Sequence, residues 1–144
     1  MAHFASVDWN NPSGLVASLS KTSVTAATGT SAAEGTDKLT YTTVRLGVYR
    51  ISAYVVIRTA GTGASQAVIA QVAYTDNLGA KTAGTIATTG VTATALDLTS
   101  ATARTNQSQV IQATSGTAIT VTMSGSGTFT SAGIYDLYVT IEAL

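Results

Sequence analysis

From Gly47 to Thr59 the chain sorts its side chains by strict alternation: Tyr49, Ile51, Ala53, Val55 and Ile57 fall on one face of an extended backbone, and Arg50, Ser52, Tyr54, Val56 and Arg58 on the other. The first set is a core face, and a face that long is buried only by a second layer of structure. The second set is mixed. Tyr54 and Val56 stand between Arg50 and Arg58, a partly apolar outer face suited to being covered by a neighbouring subunit.

Further strand signals follow at short intervals. They cover residues 39–44, 66–75, a weaker segment from Lys81, then 91–98, 107–113, 118–123 and Ile134–Ala143. In the last of these Tyr135, Leu137, Val139 and Ile141 point inward, and Asp136, Tyr138, Thr140 and Glu142 outward. Asp76-Asn77-Leu78-Gly79 is turn chemistry, because Asn and Gly tolerate positive φ. Gly61-Thr62-Gly63-Ala64 and Gly125-Ser126-Gly127 read as hairpin connections, and no helix follows either to make a phosphate cradle. Seven to nine short strands with no helical stretch and no fixed repeat period predict an all-β chain, an antiparallel β-sandwich of jelly-roll-like build.

The N-terminal quarter lacks this periodicity. Residues 15–20 with Val24 supply at most one short strand, and 25–36 reads as a long loop rich in Thr, Ala and Gly. The only proline, Pro12, marks a turn after Trp9-Asn10-Asn11. The expected division is therefore an extended N-terminal arm and loop over 1–37 and a β-sandwich domain over 38–144. Residues 1–14 are an arm carrying Phe4 and Trp9, aromatics that either fold back on their own sheet or dock into a partner as anchors.

Composition narrows the function classes. Only 10% of the residues are charged, and roughly a third are Thr or Ala, so solubility rests largely on hydroxyls. Seven basic and seven acidic residues, spread singly, leave no stripe to neutralise phosphates or hold an anionic membrane. Neither nucleic acid nor membrane is expected as a partner. The uncharged stretch over 105–135 is too rich in Ser, Thr, Gly and Gln to enter hydrocarbon as a helix. Met1 to Asp8 lacks the basic and apolar regions of a secretory signal, so it reads as a mature start.

No catalytic, cofactor-binding or metal-binding residue is assigned. With no Cys, and with His3 the only histidine, a His/Cys metal set and a thiolate nucleophile are both missing. Asp8, Glu34, Asp37, Asp76, Asp97, Asp136 and Glu142 form no calcium loop, and too few aromatic platforms accompany them for polysaccharide cleavage. Arg45, Arg50, Arg58 and Arg104 can each anchor an intersubunit ion pair or stand as solvated strand charges. The subunit-interface candidates are Arg50, Tyr54, Val56 and Arg58, and the partner-contact candidates are Phe4 and Trp9.

Two segments carry a family resemblance. The run Leu46-Gly47-Val48-Tyr49-Arg50-Ile51-Ser52-Ala53-Tyr54-Val55-Val56-Ile57-Arg58-Thr59, and the ending Ser115-Gly116-Thr117-Ala118-Ile119-Thr120-Val121-Thr122 followed by 134–144, resemble the strands of small trimeric jelly-roll virion accessory proteins of tailed bacteriophages, of the head decoration and head-fibre type. The resemblance implies a non-enzymatic, cofactor-free bacteriophage capsid decoration or stabilisation protein. Such a protein is made in the host cytoplasm and sits on the capsid exterior of the virion, where it binds the major capsid protein of the assembled head as a homotrimer. The alternative is a phage fibre or receptor-binding module recognising a host surface glycan or protein, and a hydrolase on the same scaffold fits worst.

Overall fold

The computed structural model describes residues 14–25, 34–86, 96–97, 104–131 and 133–144. Within them every regular element is a strand: β1 (Gly14–Thr25), β2 (Glu34–Thr42), β3 (Gly47–Thr59), β4 (Thr62–Asp76), β5 (Gly79–Thr85), β6 (Leu96–Asp97), β7 (Arg104–Ala113), β8 (Ala118–Ser131) and β9 (Ile134–Ala143). They form two sheets in which every pairing is antiparallel. Sheet A runs β1-β9-β3-β7 and sheet B runs β2-β8-β4-β5, with β6 also on β4. Because the chain changes sheet at nearly every connection, neighbours in a sheet are distant in sequence, and the two orders together are those of a jelly roll.

The core lies between the sheets. Ile51 and Val55 of β3, with Tyr135, Leu137 and Ile141 of β9, meet Val72 of β4 and Ile119 and Val121 of β8, all essentially sealed from water. β3 and β9 occupy the middle of sheet A, so their alternation stays clean. Their bounds coincide with the two strongest sequence signals, and the inward residues are the ones the alternation selects.

Elsewhere the expected bounds change. β1 is twelve residues long and hydrogen-bonded along β9, so the sandwich includes it, and the division expected at 37/38 runs inside β2. Bulges between Leu15 and Ala17 and between Lys21 and Val24 break the two-residue period of β1 and hide it from a pattern search. The two glycine runs expected as hairpins lie in strands instead: Thr62, Gly63 and Ala64 open β4, and Gly125 to Gly127 belong to β8. Thr62, Gly63 and Ala64 pair with Ser131, Phe129 and Thr128, and Gly125 and Ser126 with Val68 and Ala67, with register shifts between Thr62 and Gly63 and between Ala64 and Ala67, where strand glycine is common. Of 91–98 only β6 is described as strand, and 91–95 fall outside the described residues.

One end of the sandwich is closed by hydrogen bonds between the loops 43–46 and 114–117, and the second of these is tied to Thr75 near the end of β4. Thr43, expected within a strand, is a buried loop residue whose N–H donates to Thr117 C=O at 2.9 Å and whose C=O accepts from Gly116 N–H at 2.8 Å. Its Oγ1 donates toward the carbonyls of Thr114 and Thr117 and accepts from Thr117 N–H at 3.2 Å. Gly116 holds a φ of +73°, which lets the loop turn back onto Thr43. The β4–β5 hairpin is the expected one: Asp76 Oδ1 accepts from Leu78 N–H at 2.7 Å, and Gly79 closes it at a φ of +114°.

Candidate interaction face

The outer face of sheet A is built from residues that the register places in successive rows. Leu144, Val48 and Gln112 make the row nearest the closed end, and Leu15, Glu142, Arg50 and Val110 make the next. Ser18, Thr140, Ser52 and Ser108 follow, then Ser20, Tyr138, Tyr54 and Asn106, and finally Asp136, Val56 and Arg104. Each position results from the two-residue period of its strand, so one face collects side chains from four separate stretches of sequence.

Chemically the face is apolar ground with paired charges. Arg50 Nη1 donates to Glu142 Oε2 at 3.3 Å across β3 and β9. Arg58 grips Asp136 with both ends of its fork, Nε to Oδ1 at 3.1 Å and Nη2 to Oδ2 at 2.6 Å. That hydrogen bond, with the attraction of the carboxylate, raises the Arg58 pKa above its ordinary value. Asp136 points to the outer side, as its alternation predicts, yet it is only 5% exposed. Between these pairs the Tyr54 and Tyr138 rings lie 6.0 Å apart, tilted by 34°, each 38% exposed. Ser52 and Ser108 join hydroxyls at 3.3 Å beside them.

The face is distinguished by where the exposed apolar side chains go. Nine large hydrophobic residues are exposed among the described residues, and six of them, Leu15, Val48, Tyr54, Val110, Tyr138 and Leu144, lie on this face. Val44 and Leu46 stand in the adjoining β2–β3 loop, and Leu78 in the β4–β5 turn. The outer face of sheet B differs, with Thr40, Thr120 and Ala73 in one row and Thr122 and Gln71 in the next. Among the described side chains of that side hydroxyls predominate, with Ile69 half-buried beside them.

All four interface candidates read from sequence, Arg50, Tyr54, Val56 and Arg58, sit together on this face. The structure adds the β9 residues that pair with them and the apolar Leu15, Val48, Val110 and Leu144. Val48 was legible in the β3 alternation, whereas Val110 and Leu15 join the face only because β7 and β1 fall in the same sheet. Phe4 and Trp9 lie outside the described residues, as does His3. Among the described residues no group of three or more acidic or histidine side chains gathers.

No protein-family model matches the chain. No curated protein matches it either. Among solved structures it is similar to the CBM22-1-GH10 modules of Clostridium thermocellum endo-1,4-beta-D-xylanase 10B, complexed with xylohexaose, at 20% identity and a TM-score of 0.39, over 78% of this chain and 19% of that one. It is also similar to the carbohydrate binding module CBM6cm-2 of Cellvibrio mixtus lichenase 5A, in complex with cellotriose, at 12% identity and a TM-score of 0.34, over 89% of this chain and 88% of that one. A third likeness, to infectious bursal disease virus of the Gx strain, has 12% identity and a TM-score of 0.28, over 89% of this chain and 40% of the viral one. At these scores none of them bears on function, and the jelly roll stands on the strand order itself.

Proposed function

We propose that this chain is a capsid decoration protein of a tailed bacteriophage, a non-enzymatic homotrimer that self-associates through the outer face of sheet A and adds to the exterior of an assembled head. The observation that supports self-association is the segregation of exposed apolar side chains onto that face, against a hydroxylated sheet B. A second copy is the occupant that fits, because Arg50–Glu142 and Arg58–Asp136 are already paired within the chain. Burying such a face therefore brings no unmatched charge from these four residues against its partner. Three copies acting together multiply weak contacts to the shell, and a protein that binds only the assembled lattice stabilises it by mass action. In this reading Phe4 and Trp9 reach the major capsid protein as anchors.

The test is mass and attachment together. Light scattering on the purified chain should give the mass of three copies, and Val110→Lys or Tyr54→Lys should reduce it to one. The wild type should co-sediment with empty heads assembled from the major capsid protein of the same genome. A monomer at micromolar concentration rejects the trimer, and trimers that fail to co-sediment reject decoration.

The Tyr54–Tyr138 pair favours a second reading, a fibre module that binds a host glycan, since two exposed rings on a flat sheet offer a stacking platform for a sugar. Glycan-array binding that is lost in both Tyr54→Ala and Tyr138→Ala selects this alternative.

A further inference from the structure

Sheet A ends at β7, and this edge differs from the other edges of the sandwich. β1 and β2 each carry register shifts against their partners, and so does β5 on β4. Such bulges spoil an edge as a template for another strand. β7 runs in unbroken register with β3 over ten pairs, from Gly47↔Ala113 to Val56↔Arg104, and contains no Pro and no Lys. Among the described residues no strand pairs with its other side.

The same strand carries the only buried side-chain polar atoms among the described residues that lack a hydrogen-bond partner: Gln107 Nε2, Gln107 Oε1 and Gln109 Oε1. Gln107 is 5% exposed and lies opposite Ala53 on the core side of sheet A, with Gln109 opposite Ile51 beside it. Amide groups buried without partners are costly, so three atoms on two neighbouring residues of one free edge call for a shared explanation.

We propose that β7 is a self-pairing edge, at which two copies of this chain join antiparallel about a two-fold axis through Ser108, with Gln107 of each opposite Gln109 of the other. The local sequence is self-complementary in that register. Gln107-Ser108-Gln109 reads the same in both directions, so the axis sets Ser108 against its own copy and each orphan amide against another amide. Each Gln offers both donors and acceptors, and cross-strand Cβ atoms about 4.5–5.5 Å apart leave two such side chains in bonding reach. The pairing joins two four-stranded sheets into one continuous sheet and keeps both B sheets on the same side. It uses the edge of sheet A rather than its outer face, so it is independent of the trimer proposed above. Where both hold, it links one trimer to the next only at concentrations above those at which light scattering gives three copies.

The chain has no cysteine, so engineered thiols report on this register without background. Ser108→Cys should form a disulfide-linked dimer on mild oxidation of the full chain, seen on a denaturing, non-reducing gel. Ser52→Cys, one strand inward on the same face, should not. A mixture of Gln107→Cys and Gln109→Cys should give dimers that neither gives alone, and these thiols face the core, out of reach of any contact across the outer face. Equal dimer from Ser52→Cys and Ser108→Cys would assign the crosslink to face association and overturn the edge pairing. So would a Ser108→Cys chain that stays single under oxidation while circular dichroism shows it folded.

Discussion

Thr43 shows how one hydroxyl can organise an end of the sandwich. Its backbone and Oγ1 together meet both flanks of the 114–117 loop, and Thr114 N–H in turn donates to Thr75 C=O at 2.9 Å, which ties in the β4 end. Thr43→Val keeps the shape but leaves buried carbonyl and amide groups short of a partner, so it should cost about 1–3 kcal/mol in denaturant unfolding. Tyr49 is a second residue with a local signature. Burial first, and then Tyr41, raise its pKa above 10.0, and its hydroxyl donates to Arg45 C=O at 3.2 Å. The folded state thus holds the phenol proton at pH values where the unfolded chain has released it, so stability is fully present below pH 10.0 and falls as pH rises beyond it. Melting curves above that pH should decline less steeply for Tyr49→Phe than for the wild type.

At the scale of elements, β3 and β9 form the spine of the molecule. They pair from Tyr49↔Ala143 to Val55↔Leu137 without a shift, and each has a further strand on its other side. Their inward residues are therefore covered by neighbours within the sheet and by sheet B above. Ile51, fully buried, should lose about 2–4 kcal/mol on truncation to Ala through lost burial and the cavity left behind. Val139→Ala, which removes less volume at an equally buried position, should cost about 1–3 kcal/mol. Unchanged melting of both variants would contradict the register of β3 on β9. β1 is held differently: among its described side chains Leu15 is exposed, and Val16, Ala17 and Leu19 are only partly buried against the core. Hydrogen exchange should accordingly be faster along β1 than along β3.

The whole molecule separates its surfaces by chemistry, with an apolar face on sheet A, hydroxyls on sheet B and a hydrogen-bonded end between them. In the proposed reading, attachment belongs to the segment before β1. Deleting residues 1–13 leaves every described strand in place, so the truncated chain should keep its circular dichroism spectrum and its mass in light scattering. Its binding to empty heads should weaken, and Trp9→Ala alone should reduce affinity by roughly thirty-fold, the equivalent of an anchor worth about 2 kcal/mol. Full-strength binding by the truncated chain would move the contact onto the sandwich.

The β class, the bounds of β3 and β9, the inward residues of both and the Asp76–Gly79 turn were all legible in the chain, because each depends on a two-residue period or on the φ preference of a single residue. The four interface candidates also came from one strand, where alternation alone separates core from exterior. Tertiary structure decided the rest. Gly125-Ser126-Gly127 has the composition of a turn, yet partners on β4 hold it extended within β8. β1 and the start of β2 lack apolar alternation and exist as strands because β9 and β8 present them with backbone hydrogen bonds. The outer face of sheet A could not be assembled from sequence either. Leu15, Tyr54, Val110 and Tyr138 come from four strands, and only the jelly-roll order, which sets sequence-distant strands side by side, brings them onto one surface.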